Sequence, residues 1–177
     1  MKKILVFGVI AALIAGILGG CAVDKPEVKE IDLNEVLEAV KNELGEDYYP
    51  DRDMELEEVL AYTGLSEDEI SEYIAQSPMI SINVDTFIGI KATEGNGDNV
   101  YEGLNSYREF LVNDSMQYPM NLPKINASKV VRFGDYSFFI MVGARDEMVE
   151  DVDSNEAREF AESETAKVES VITDIFN

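Results

Sequence analysis

The sequence predicts a single α+β domain: a small antiparallel or mixed sheet of three to four strands, a hairpin among them, with long helices packed on one face. Three observations carry this. Apolar residues recur at helical spacing over Leu33–Leu44, Val100–Leu111 and Phe160–Ile175. Between those patterns the period falls to two, from Ile80 to Ala92. The segment "KVVRFGDYSFFIMV" then places two apolar runs about a Gly134-Asp135 pair, which is how a hairpin reads.

In chain order, Leu33, Val36, Leu37, Val40 and Leu44 form one helical stripe behind Asp32 as cap, with Glu35 three residues on and Gly45 as stop. "DRDMELEEVLAYTG" predicts a shorter helix with Leu56, Val59 and Leu60 inward. Ser66 and Glu69 form a capping box, which predicts a third helix carrying Ile70, Tyr73 and Ile74. From Ile80, the residues Ile82, Val84, Thr86, Ile88, Ile90 and Ala92 share one parity, opposite Ser81, Asn83, Asp85, Gly89 and Lys91. That predicts a strand with one wet face, bent near Asp85 because the run is long for one strand. "EGNGDN" leads, with Asp98 or Asn99 as cap, into a helix whose inward stripe is Val100, Leu104, Tyr107 and Leu111. In the hairpin, Gly134 stands where a type II′ turn needs positive φ. Its second strand, Tyr136 to Val142, is apolar on nearly both faces and is expected inside the sheet. A last helix follows Asp153, with Glu156 as capping partner and Phe160, Ala161, Val168, Val171, Ile172 and Ile175 as its buried stripe. The core is expected on Phe138, Ile140 and Val142, with Ile88, Ile90, Leu104 and Ile172 against them.

The front of the chain is a processing segment. Lys2 and Lys3 precede an apolar run over residues 4–18, the n-region and h-region of a secretory signal. At about 1.5 Å per residue the run spans roughly 22 Å, short of a hydrocarbon core of roughly 30 Å. Leu18-Gly19-Gly20-Cys21 resembles the bacterial lipobox, which implies diacylglycerol on the Cys21 sulfur and removal of residues 1–20. Cys21 is the only cysteine. Lipidated, it leaves no disulfide, no thiol nucleophile and no thiolate metal ligand. The expected organisation is a signal peptide over 1–20, the lipidated cysteine and a flexible tether over 21–30, and the α+β domain over 31–177. The expected place is the outer face of the cell membrane, held by that lipid.

Charge bounds the partners. With 36 acidic against 14 basic residues the net charge is −22. Such a surface repels nucleic acid and anionic lipid heads. The acids fall mostly on solvated helix faces.

The wording "GLSEDEISEYIAQSPM", "FIGIKATEG" and "KINASKVVRFGDYSFFIMVG", behind a lipobox, resembles the small lipoproteins of Gram-positive bacteria grouped under the domain of unknown function numbered 4358. The resemblance covers roughly residues 30–176. It implies a surface lipoprotein and carries over no catalytic residue.

Chemistry is narrowed by what the chain lacks. It has no histidine, the commonest general base and transition-metal ligand. No G-x-S-x-G, S-x-x-K, P-loop or dinucleotide fingerprint occurs. In "EGNGDN", Glu94, Asn96 and Asp98 fall on EF-hand positions, but Asn99 replaces the glycine and Asn105 the bidentate acid, so a strand-to-helix turn explains them better. Asp51, Asp53 and Glu55 suit a helix start. No metal and no cofactor is expected. Against this acidity Lys124, Lys129 and Arg132 stand close in sequence beside Tyr118 and Tyr136. They form either a binding site for a small anion or acidic partner, or a solubilised hairpin edge. The leading expectation is a noncatalytic binding or accessory module with a protein or cell-wall partner. The alternative is a small extracytoplasmic hydrolase that uses paired carboxylates.

Overall fold

The computed structural model describes residues 30–146, 148 and 151–177. The expected signal peptide, Cys21 and all of the expected tether except Glu30 lie outside the described residues. Helix α1 spans Leu33–Leu44, strand β1 Arg52–Asp53, helix α2 Leu56–Thr63, β2 Ile70–Ser77 and β3 Thr86–Ala92. Helix α3 spans Gly97–Asn113, α4 Leu122–Ala127, β4 Lys129–Phe133, β5 Tyr136–Met141 and α5 Asn155–Phe176. The strands form one antiparallel sheet of five, in the order β1-β2-β3-β5-β4. The α+β class and the single domain hold. The sheet has more strands than the three to four expected.

Local sequence explains the elements that were read well. The Asp32 carboxylate accepts the Asn34 amide at 2.8 Å, and the five apolar residues of the first stripe are the five that α1 buries. In α3 the stripe is also as expected, but the cap is Asn96, not Asp98 or Asn99. The start of α5 is one residue later than expected: Ser154, not Asp153, is its cap, and Ser154 Oγ accepts the Ala157 amide at 3.1 Å. Gly134 has φ +62° while no residue other than glycine has positive φ among those described. Type I′ needs positive φ at both central residues, so the Gly134-Asp135 turn fits type II′.

Two elements are corrected. The Ser66–Glu69 capping box forms, but the turn it caps, Glu67–Glu69, ends after three residues and the chain extends as β2. Ile70, Tyr73 and Ile74 keep helical spacing and do not alternate strictly, since the register of the strand shifts between Ile70 and Glu72, so local pattern favours a helix and long-range pairing a strand. Pairing with β3 from Ile70↔Ala92 to Gln76↔Phe87 decides between them. The long strand expected from Ile80 starts only at Thr86, and residues 78–85 form a loop across the end of the sheet.

The sheet is covered on both faces, not one. One side packs Ile88, Ile90, Phe139 and Met141 under α3, with Val59 of α2 and Ile125 of α4. The other packs Phe87, Phe138, Ile140 and Val142 under α1 and α5. The expected core residues are all buried, but Ile88, Ile90 and Leu104 lie on the opposite side of the sheet from Phe138, Ile140, Val142 and Ile172. Double cover leaves β3 without the wet face expected of it, and Phe87 and Asp85 are fully buried. At Gly89 the Phe138 ring lies so close that a Cβ would sit 2.9 Å from its Cε1, which is why this strand position carries no side chain.

The two ends of the sheet differ. At the hairpin end the Ile31 amide donates to Tyr136 Oη at 3.1 Å, and Lys91 pairs with Glu30. The described chain therefore enters there. The opposite end collects the residues after Ser77, before Thr86 and after Met141.

Candidate functional site

That opposite end is built over a buried charge pair. Lys124 of α4 donates to Asp85, just before β3, and to the Gly143 carbonyl, just after β5, at 2.7 Å. Lys124 is 7% exposed and Asp85 not at all. Burial pushes the Asp85 carboxyl up and the Lys124 ammonium down, each opposed by attraction to the other. Asp85 Oδ2 has no hydrogen-bond partner. Lys124 Nζ also stands 5.7 Å from the centre of the Tyr49 ring.

Neighbouring polar groups pin the loops. Asn121 Nδ2 donates to the Ile82 carbonyl at 3.0 Å, and Arg145 Nη2 donates to Asn121 Oδ1 at 3.2 Å. Buried Glu164 accepts the Ala144 amide at 3.0 Å and pairs with Lys167. α4, α5 and the segments flanking β3 and β5 are thus tied by charge-assisted bonds at one end of the sheet.

Over this base the surface is apolar. Met79 is 71% exposed, Ile80 65% and Ile82 46%, with Tyr62, Phe110, Tyr118 and Met120 also open. A groove of about 760 Å³ runs between α2, α3 and the 78–84 loop, with Tyr62, Met79 and Phe110 in its walls. A second hollow of about 440 Å³ shares Pro78 and Asn83 with it and adds Tyr49, Ile80 and Ile82. Arg145 links this hollow to a small cavity of about 100 Å³ floored by Ala157 and Ala161 of α5. The depressions form one continuous face. Contiguous exposed apolar side chains of this kind make this end the candidate functional site.

The residues singled out from the sequence do not converge. Lys124 is buried against Asp85. Lys129 and Arg132 have opposite parity on β4 and pair with Glu169 of α5 and Asp98 of α3, on opposite sides of the sheet. Tyr136 is buried at the hairpin end, and Tyr118 is exposed at the apolar end. Asp51 accepts the Met79 amide and Asp53 accepts Gln76 Nε2, both at 2.7 Å. No group of three or more acidic, histidine or cysteine side chains that could hold a metal occurs among the described residues. No helix among them is long and apolar enough to cross a membrane. The apolar face went unread because Ile80 and Ile82 were assigned to a strand, Tyr62 and Phe110 fell in helices whose inward stripes lay elsewhere, and the rest was left in loops. The methionines of "SPMISINV" and "MQYPMNLP" are the signal that pointed to it.

The fold and this face define an α+β domain with a covered sheet and an open apolar end. The chain belongs to the family described as Domain of unknown function (DUF4358), whose model matches residues 45–142, more than half of the sequence. The matched stretch contains every strand, the Asp85–Lys124 pair and the large groove, and excludes α1 and α5. No curated protein and no solved structure matches the chain.

Proposed function

We propose that the protein is a noncatalytic binding or accessory module, held at the outer face of the cell membrane by lipid on Cys21. The observation that carries this reading is the gathering of large exposed apolar side chains at the sheet end opposite the entry of the chain at Ile31. A tether of about ten residues reaches at most about 33 Å. Anchored through it, the domain turns its hairpin end to the lipid and its apolar end outward. Its net charge of −22 favours standing off an anionic surface.

The hydrolase alternative needs acids that converge in a cleft. The two carboxylates buried among the described residues, Asp85 and Glu164, are instead engaged with Lys124, the Ala144 amide and Lys167, and serve to close the fold. Intact-mass analysis of protein extracted from membranes should show loss of residues 1–20 and an added diacylglyceryl group. A Cys21→Ala protein that stays membrane-bound and is cut at the same bond contradicts the anchor. Glycan and peptide hydrolysis screens should find no turnover. Turnover abolished by changing one carboxylate to its amide, with the fold intact, overturns the binding reading.

A further inference from the structure

The small cavity at the apolar end differs from the groove in the charge it holds. Its walls include Met120, Pro123, Ala157, Phe160 and Ala161, and to these Lys124, Arg145 and Asp146 add two cations and one acid. That balance runs against a chain with 36 acidic and 14 basic residues. Asp85, the partner of Lys124, is not among the lining residues, and Asp146 Oδ1 accepts the Met148 amide at 2.9 Å.

Arg145 is the group without a match. Among the described residues, Arg108 and Arg145 are the two cations that pair with no carboxylate. Arg108 donates to the Ser128 and Asn126 carbonyls and closes the end of α4. Arg145 Nη2 donates to Oδ1 of buried Asn121, which is itself pinned to the Ile82 carbonyl, and Nη1 reaches only the weak acceptor Met120 Sδ at 3.6 Å. A guanidinium carries five N–H donors, so this one is oriented, half-buried and still has donors for an anion. Asp51, the acid of the adjoining hollow, is taken up by the Met79 amide.

The cavity volume sets the rest of the ligand. An apolar cavity of about 150 Å³ takes benzene, so about 100 Å³ takes an aliphatic group of about four carbons. Ala157 and Ala161, four apart on α5, leave that space because their side chains end at Cβ. An inorganic anion would leave these walls uncovered, and a neutral hydrocarbon would desolvate Arg145 without matching it.

We propose that the cavity binds a carboxylate bearing a short branched aliphatic group, the carboxylate on Arg145 and the aliphatic group against Ala157 and Ala161. The proposal rests on the binding-module reading and names a ligand for it. A free branched-chain acid and the last residue of a peptide share this chemistry. Arg145 also lines the hollow of Tyr49, Ile80 and Ile82, which gives ground to the residues that precede a chain end.

The test is an NMR titration of the full chain in zwitterionic lipid nanodiscs with isovalerate, and separately with a short peptide ending in leucine. Isovaleramide, acetate, inorganic phosphate and the amidated peptide are the controls. Both acids should bind, and every control should bind about tenfold more weakly or worse. A peptide that binds more tightly than isovalerate assigns the site to a chain end, and the reverse order assigns it to a free acid. Arg145→Gln changes a half-buried side chain outside both core clusters, so the fold is kept. It should weaken both acids about tenfold, whereas Lys41→Gln, the same change of charge on α1 away from the cavity, should bind them as the parent does. Ala161→Leu, which fills the cavity and changes no charge, should abolish binding. Isovaleramide as tight as isovalerate, or Arg145→Gln as tight as the parent, overturns the proposal. If neither acid binds while crosslinks from Ile80 persist on intact cells, the ligand falls and the binding-module reading stands.

Discussion

Replacing Lys124 by methionine is expected to cost the fold about 3–5 kcal/mol, because it strands the Asp85 carboxylate in the protein interior. Asp85 is fully buried, its Oδ2 already lacks a partner, and Lys124 is the cation on Oδ1. The double variant Asp85→Leu with Lys124→Met should recover most of the loss, since a buried pair replaced by apolar side chains of similar volume is often neutral. The pH dependence gives the sign. Burial already holds the Asp85 carboxyl above its usual range, and removing the ammonium raises it further. A carboxyl that binds its proton more tightly folded than unfolded gains stability as pH falls from neutrality toward the unfolded value of about 3.9. Urea unfolding of Lys124→Met should therefore show stability rising on mild acidification relative to the parent. A single variant as stable as the parent at neutral pH would mean the pair is not closing this end of the sheet.

The second large effect is expected at Ile140. Its side chain is fully buried in the cluster that also holds Phe87, its partner across to β3, with Phe138, Val168 and Ile172. β5 is hydrogen-bonded to β3 and to β4, so it has little room to collapse onto a lost side chain. Ile140→Ala should cost about 2–5 kcal/mol in denaturant unfolding, with the slope unchanged. A loss of a few tenths would mean that β5 is not interior.

α1 was legible residue by residue, cap and stripe alike, and the stripe of α3 was legible without its cap, because one sequence window holds the periodic signal. β2 was not. Its apolar spacing suits a helix, a register shift near Ile70 breaks the alternation a strand would show, and the deciding interaction is with β3, reached through a loop. β1 is two residues long and α4 six, too short for any periodicity to show. The second helical layer was also hidden, since Phe87 stands alone among the polar residues of its parity and only α1 and α5 explain its burial. The site was legible only as a contradiction. Strand parity at Ile80 and Ile82 assigns them to the core, yet they are exposed, while Lys124, read as a surface cation, is buried. Asp85 and Lys124 meet across 39 positions of sequence, which no local pattern reports.

The same contradiction supports the binding reading. Apolar residues left outside a core that is complete without them have no folding role to explain them, and here they gather at the end farthest from the chain's entry. The central claim is that this end meets a partner outside the membrane. The measurement that tests it most directly places a photo-reactive side chain at Ile80 and, separately, at exposed Asp135 in the hairpin, and irradiates intact cells. Discrete protein adducts from Ile80, absent from Asp135 and lost when Met79 and Phe110 are changed to serine, are the predicted result. Adducts from Asp135 alone, or lipid adducts from Ile80, would contradict it.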